Sequence, residues 1–208
     1  MNIGIVGLGL IGGSIGLKLQ RLKHTIYGVT NNNLNKKKAI ERNLANVVSC
    51  DLGILKECSL IILALPIKDL IHPSNDLINA IPKDSIVTDV GSIKEPIINT
   101  WGRIHPLFIG SHPMAGTEEK GVESGFESLL ENAKWIITPT SKTNSHSLKT
   151  LSNLITSMQC EICKASPKEH DEAVSLISHL PIFVASSCLL YTSPSPRDLS
   201  TSRMPSSA

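Results

Sequence analysis

Gly7, Gly9 and Gly12 constrain this chain more than any other feature, because they fall between the short apolar run Asn2 to Val6 and a helix-like run, Ser14 to Leu22. The first glycine permits a tight turn and the second lets backbone approach a pyrophosphate. The third allows a helix to close on a strand, and the N-terminus of that helix offers N–H donors to phosphate. A plain turn can also be built from glycines, but strand, glycines and helix in this order at the start of a chain point to a dinucleotide site. Gly7, Gly9, Leu10, Ile11 and Gly12 are therefore candidate cofactor-binding residues.

Downstream, apolar runs alternate with helix-like segments, as in a parallel sheet covered on both faces. His24 to Val29 reads as the second strand, Leu60 to Leu65 as the fourth, Ser85 to Asp89 as the fifth and Leu107 to Gly110 as another. Asn35 to Arg42, Leu70 to Asn79 and Ile93 to Trp101 read as crossover helices. Lys134 to Thr138 then adds a strand, Ser145 to Ser157 a helix and Gln159 to Cys163 a last strand. The expected class is α/β, a Rossmann-type doubly wound, mostly parallel sheet over residues 1–165. A helix opening with the capping box Ser166-Pro167-Lys168-Glu169 follows it.

With Lys and Arg together at 20 against 18 acids, the net charge of +2 offers no electrostatic case for nucleic acid or an anionic membrane. Met1 to Leu17 lacks charge but also lacks a basic leader and a cleavage site, so it reads as fold rather than targeting signal, and a cytoplasmic location is expected. The 5 cysteines then read as reduced thiols. Cys160 and Cys163 form a C-x-x-C with no second pair to complete a zinc site, so no metal is expected.

The end of the second strand bears on cofactor choice. NAD enzymes place an acid there for the ribose 2′-hydroxyl, whereas here Thr30, Asn31 and Asn32 follow Val29, with no acid between Lys23 and Glu41. A 2′-phosphate would meet a hydroxyl, amides and the nearby Lys36 to Lys38, so NADP is favoured over NAD. Leu65 and Pro66, closing the fourth strand, complete the cofactor set. The stretch Gly110 to Glu118 puts His112 on a loop bounded by glycine and proline. This is a candidate acid/base group, since an imidazole titrates near physiological pH.

Together, G-L-G-L-I-G-G-S at the start, Asp89-Val90-Gly91-Ser92-Ile93-Lys94, Gly110-Ser111-His112-Pro113-Met114-Ala115-Gly116-Thr117-Glu118, and His170-Asp171 followed by Ser178-His179-Leu180-Pro181 resemble the prephenate/arogenate dehydrogenase family of tyrosine biosynthesis, over residues 1 to about 187. The resemblance implies an NADP-dependent oxidative decarboxylation of arogenate, or of prephenate, to an aromatic product. It makes His112 the group that accepts the substrate hydroxyl's proton and Ser92 the residue that hydrogen-bonds either that histidine or the same hydroxyl and fixes its geometry, and it brings Ser111, Gly116, Thr117 and His179 near substrate. Ile182 stands where some prephenate-using relatives carry histidine after S-H-L-P, which favours arogenate. His170 and His179, nine positions apart on one straight helix, would face nearly opposite ways.

The resemblance also implies a helical dimerisation domain beginning at 166–187, with an arginine for the substrate carboxylate; only Arg21, Arg42 and Arg103 precede residue 188 and none fits that motif. From Cys188 to Ala208 the chain lacks Lys, Ile, Asn and Gly, and its first eleven residues read like a sequencing adapter translated in frame, so 188–208 is expected to be a non-native tail. The intact protein is expected to be a homodimer. Rival readings are another Rossmann oxidoreductase of the β-hydroxyacid dehydrogenase kind and a non-catalytic cofactor-binding fragment.

Overall fold

In the computed structural model, which describes residues 1–192, the chain divides into two compact units, Met1–Asp171 and Glu172–Ala208. The first is an 8-stranded sheet in the order β3-β2-β1-β4-β5-β6-β7-β8. Its strands are β1 (Asn2–Val6), β2 (Thr25–Val29), β3 (Val47–Ser49), β4 (Leu60–Leu63), β5 (Ile86–Asp89), β6 (Phe108–Pro113), β7 (Lys134–Thr138) and β8 (Glu161–Lys164). Every neighbouring pair is parallel except β6 with β7. The chain thus reverses outward from β1, placing a topological switch point between β1 and β4.

The inner strands are apolar on both faces because both faces are covered. Ile3, Ile5, Leu60 and Ile62 join one core with Ile15 and Leu19 of α1 (Leu10–Arg21) and Leu151 and Ile155 of α6 (Ser145–Ser157). Val6, Ile61, Leu63 and Val87 join the other. They pack there with Leu70 of α3 (Ile67–Ile71), Leu77 of α4 (Asn75–Ala80) and Trp101 of α5 (Glu95–Ile104). Trp101 is fully buried, its Nε1–H donates to the Leu70 carbonyl at 2.8 Å, and its ring stacks on Phe108 at 5.8 Å.

Several expected boundaries shift for identifiable reasons. Helix α1 begins at Leu10 instead of Ser14, taking Gly12 and Gly13 into its first turn, where the Gly7 backbone packs closely on Gly12 and Leu44 on Gly13. Helix α2 (Asn33–Glu41) starts two residues early because the Asn32 side chain caps it, accepting from the Asn35 amide at 2.8 Å. The single helix expected over Leu70 to Asn79 is two, broken at Pro73 and restarted by Ser74 Oγ, which accepts from Leu77 N at 3.2 Å. The strand expected to end at Gly110 runs on to Pro113, so His112 stands on a strand and not on a loop. Gly110 is small for room, not for a turn: a Cβ there would meet Thr138 Oγ1 at 2.6 Å.

Helix α7 (Pro167–Val174) contains the division between the two units. In the second unit a π turn, Ser175–His179, precedes α8 (Leu180–Thr192), so the helix assumed to be straight between His170 and His179 changes winding on the way. Leu176, Ile177 and Phe183 there are 65%, 66% and 70% exposed. Of the expected tail, residues 188–192 close α8, and 193–208 lie outside the described residues. Among the described residues no helix is long and apolar enough to cross a membrane.

Candidate active site

A cleft of about 960 Å³ opens where β1, β2, β4 and β5 end, at the switch point. Its floor is the glycine turn. Gly7 has φ +94°, in the left-handed region that favours glycine, and its N–H donates to the Val29 carbonyl at 2.9 Å. A Cβ on Gly12 would lie 1.9 Å from the Gly7 carbonyl oxygen, whereas one on Gly9 would meet nothing within 4 Å. The first and third glycines are therefore required by the fold itself, and the second leaves open space over backbone at the head of α1. That is the cradle a pyrophosphate fills, so the residues present fit a dinucleotide.

Most of the expected site residues meet in this cleft. Gly7, Gly9, Leu10, Ile11, Gly12, Thr30, Asn31, Leu65 and Pro66 line it, and Ser92 and His112 stand in the same wall. Others do not join them. Asn32 is occupied as the α2 cap. Ser111 is fully buried, accepting from Trp135 Nε1–H at 2.9 Å and donating to the Asp89 carbonyl at 2.8 Å. Gly116 and Thr117 are exposed beyond the wall. The His179 side chain lies outside the described residues.

At the adenosine end, the Asn31 side-chain oxygen accepts from Asn32 and Asn35 at 3.0 and 2.8 Å, filling with amides the place where an acid would stand. Lys37 pairs with Glu41 and Lys38 with Glu123, so of the three neighbouring lysines Lys36 is the one outside an ion pair among the described residues. The far wall is the loop after β6, including Lys120, Gly121 and Val122. Arg42 donates to the carbonyls of Val122 and Gly125 at 2.9 and 2.7 Å, and Phe126 N donates to Ser14 Oγ at 2.9 Å, tying that loop to α1 and α2.

Around His112 the structure adds residues that sequence reasoning left without a role. His112 Nδ1 lies 2.9 Å from His170 Nε2, and His170 Nδ1 lies 2.7 Å from Asp171 Oδ1. The Asp171 carboxylate also accepts from the backbone amides of Lys94 and Glu95, at 2.6 and 2.9 Å, where α5 begins. Burial raises the Asp171 pKa, but the Glu95 amide, His170 and the Lys94 amide outweigh it and hold the group below its ordinary value. His170 is 1% exposed, and burial carries its pKa below the usual histidine value despite the bond to Asp171. Asp89, at the end of β5, receives Gly91 N at 2.8 Å, Ser111 N at 3.1 Å and the Lys94 ammonium. Short-range motifs could suggest Asp89 and Lys94; nothing in the spacing could pair His112 with a residue 58 positions away.

Cys160 is buried, which pushes its thiol up to about 11, away from thiolate chemistry. Among the described residues no cluster of three or more His, Cys, Asp or Glu is placed to hold a metal ion.

Known proteins resemble this chain in both sequence and fold. The family model for the prephenate dehydrogenase nucleotide-binding domain matches residues 15–164. A prephenate dehydrogenase of Bacillus subtilis is 33% identical over 196 residues, covering 90% of this chain and 53% of that protein, so the chain spans about half the length of this relative. The arogenate dehydrogenase of Synechocystis superposes with a TM-score of 0.79 at 36% identity, over 92% of this chain and 69% of that one. The prephenate dehydrogenase of Aquifex aeolicus, in complex with hydroxyphenyl propionate and NAD+, gives 0.84 at 30% identity, over 95% and 71%.

Proposed function

Because the chain belongs to the prephenate dehydrogenase family, we propose that it forms the NADP-binding and proton-transferring part of an enzyme that oxidatively decarboxylates arogenate, with prephenate as the other substrate to test. The observation that carries this reading is that Ser92 and His112 share one cleft wall with the open glycine turn.

The cleft residues have separable tasks. Gly7, Gly9 and Gly12, with the amides at the head of α1, hold the pyrophosphate of a nicotinamide dinucleotide, and Thr30, Asn31 and Lys36 receive a 2′-phosphate. When bound, the dinucleotide supplies the hydride acceptor. His112 takes the proton of the ring hydroxyl as that carbon becomes a carbonyl, and returns it to the phenolate oxygen after carbon dioxide has left the opposite carbon. Ser92 orients the same hydroxyl. Aromatisation makes the step irreversible. The reading for NADP rests on residues 30–36 of this chain, since the Aquifex neighbour carries NAD+. The preference for arogenate rests on Ile182.

In the same reading, residues 1–165 are the nucleotide-binding domain, residues 166–187 open a helical domain that pairs subunits in a cytoplasmic homodimer, and residues 188–208 are foreign to the protein. The test is calorimetric titration with NADP+ and NAD+, followed by assay of cofactor reduction with arogenate, prephenate and simple hydroxy acids. Tighter binding of NADP+, with reduction only by the cyclohexadienyl substrates, is the expected result. His112→Asn should then lower kcat by about 10²–10⁴ and leave NADP+ affinity unchanged. Reduction driven by hydroxy acids, or full activity in His112→Asn, would overturn the reading.

A further inference from the structure

The hydrogen bonds from Asp171 to His112 run in one direction only. Backbone amides can only donate, so the two that end on Asp171 require both its oxygens to act as acceptors, and its depressed pKa keeps it ionised at neutral pH. At 2.7 Å from that carboxylate, His170 Nδ1 must carry a proton. Burial holds His170 neutral, which leaves Nε2 with a lone pair. His112 Nδ1, 2.9 Å from that lone pair, must therefore be the donor. The other tautomer of His112 would set two lone pairs against each other at that distance. The remaining charged groups facing His170 are Lys94, which opposes its protonation, and Asp89, which favours it.

We infer that His170 and Asp171 are positioning residues that hold His112 in its Nδ1–H tautomer, so that Nε2 is the nitrogen that takes up the substrate proton. This rests on the reading of His112 as the proton acceptor. It adds a polarised chain that sets which nitrogen is basic before substrate arrives and that stabilises the imidazolium once formed, since the new positive charge strengthens donation toward His170 and Asp171. The logic is that of an acid–histidine pair fixing a tautomer in hydrolytic triads, with a second imidazole interposed. Asp171 is itself anchored at the start of α5, so the chain is referred to the sheet through the loop that carries Ser92.

The experiment is long-range ¹H–¹⁵N correlation NMR on the full chain with ¹⁵N-labelled histidine at neutral pH, the His112 signals being identified by their loss in His112→Asn. His112 should show a protonated Nδ1 and an unprotonated Nε2. His170→Phe, which cannot accept, should move His112 toward the Nε2–H form that free imidazoles prefer. His170→Gln, whose side-chain oxygen can still accept, should retain the Nδ1–H form. A wild-type His112 protonated on Nε2 overturns the inference whether or not either variant folds, as does a His170→Phe protein with an unchanged tautomer. In the intact enzyme, kcat should fall at least tenfold in His170→Phe and recover partly in His170→Gln, with the KM for cofactor unmoved. If the tautomers behave as stated but neither arogenate nor prephenate reduces the cofactor, the relay stands and the assigned reaction falls.

Discussion

The ammonium of Lys94 donates to the carbonyl of Ser111 at 2.7 Å, so the loop after β5 is tied to the residue immediately before His112. The same ammonium pairs with Asp89, and neither side chain has any exposed surface. Burial drives the Lys94 pKa down, and the neighbouring Asp89 and Asp171 draw it only partly back.

Removing one member of such a pair strands the other. Lys94→Met is expected to lower unfolding free energy by about 3–5 kcal/mol, measured by urea denaturation, because Asp89 is left as an uncompensated buried charge. Lys94→Met combined with Asp89→Asn should recover part of that loss; equal loss in the single and double variants would show that the pair is not what the site depends on.

The second and third glycines should separate binding from folding. Gly9→Ala meets nothing within 4 Å at a φ of −75°, so its stability should change by less than about 1 kcal/mol while dinucleotide affinity falls at least tenfold. Gly12→Ala drives a methyl to 1.9 Å from the Gly7 carbonyl and should cost about 1–3 kcal/mol in thermal or chemical unfolding as well as binding.

If the proposed NADP site is right, cofactor preference should shift at one residue. Asn31→Asp retains the oxygen that accepts from Asn32 and Asn35, so the local hydrogen bonds survive, but it places a charge against a 2′-phosphate. NADP+ should weaken relative to NAD+ by about tenfold or more, near 1.4 kcal/mol, in paired titrations. An unchanged ratio would move the phosphate site away from Asn31.

Stability should fall with mild acid. Burial lowers the pKa values of both His105 and His170 in the folded protein. The unfolded chain therefore binds more protons once the pH drops below about 6.5, and the folded state loses ground as the pH falls toward the folded values. The urea midpoint should accordingly decrease between about pH 7.5 and pH 5.5, and the slope should be shallower in His170→Gln. Asp171, depressed in the fold, adds stability that disappears only at lower pH, below about 3.9. A flat midpoint across the upper window would contradict neutral, buried histidines.

Local signals were legible wherever local physics decides. The limits of β7 and α6 match the residues read from periodicity, and the glycine turn stands where its spacing put it. Tertiary packing decided the rest. Glycines normally weaken a helix, yet Gly12 and Gly13 are helical because neighbouring backbone and Leu44 leave no room for side chains. Gly110 and Pro113 mimic turn chemistry, but β7 pairs Gly110 with Thr138 and Pro113 with Trp135 and so extends the strand. Strand β3 has only three residues and carries no pattern long enough to read. The partner of His112 was beyond reach because hydrogen-bond direction appears only when distant segments meet.

On the proposed reading of His112, strand β6 turns the choice of base into a question of parity. Alternate residues on a strand face opposite sides, and here Ser111 turns into the protein interior while His112 lines the cleft. A shift of one residue against β7, where His112 is opposite Ile136, would exchange them, burying an imidazole and offering a hydroxyl to the substrate. Insertions or deletions of a single residue between β5 and β7 should therefore silence the site more completely than most substitutions within it, even in a chain whose sheet still forms.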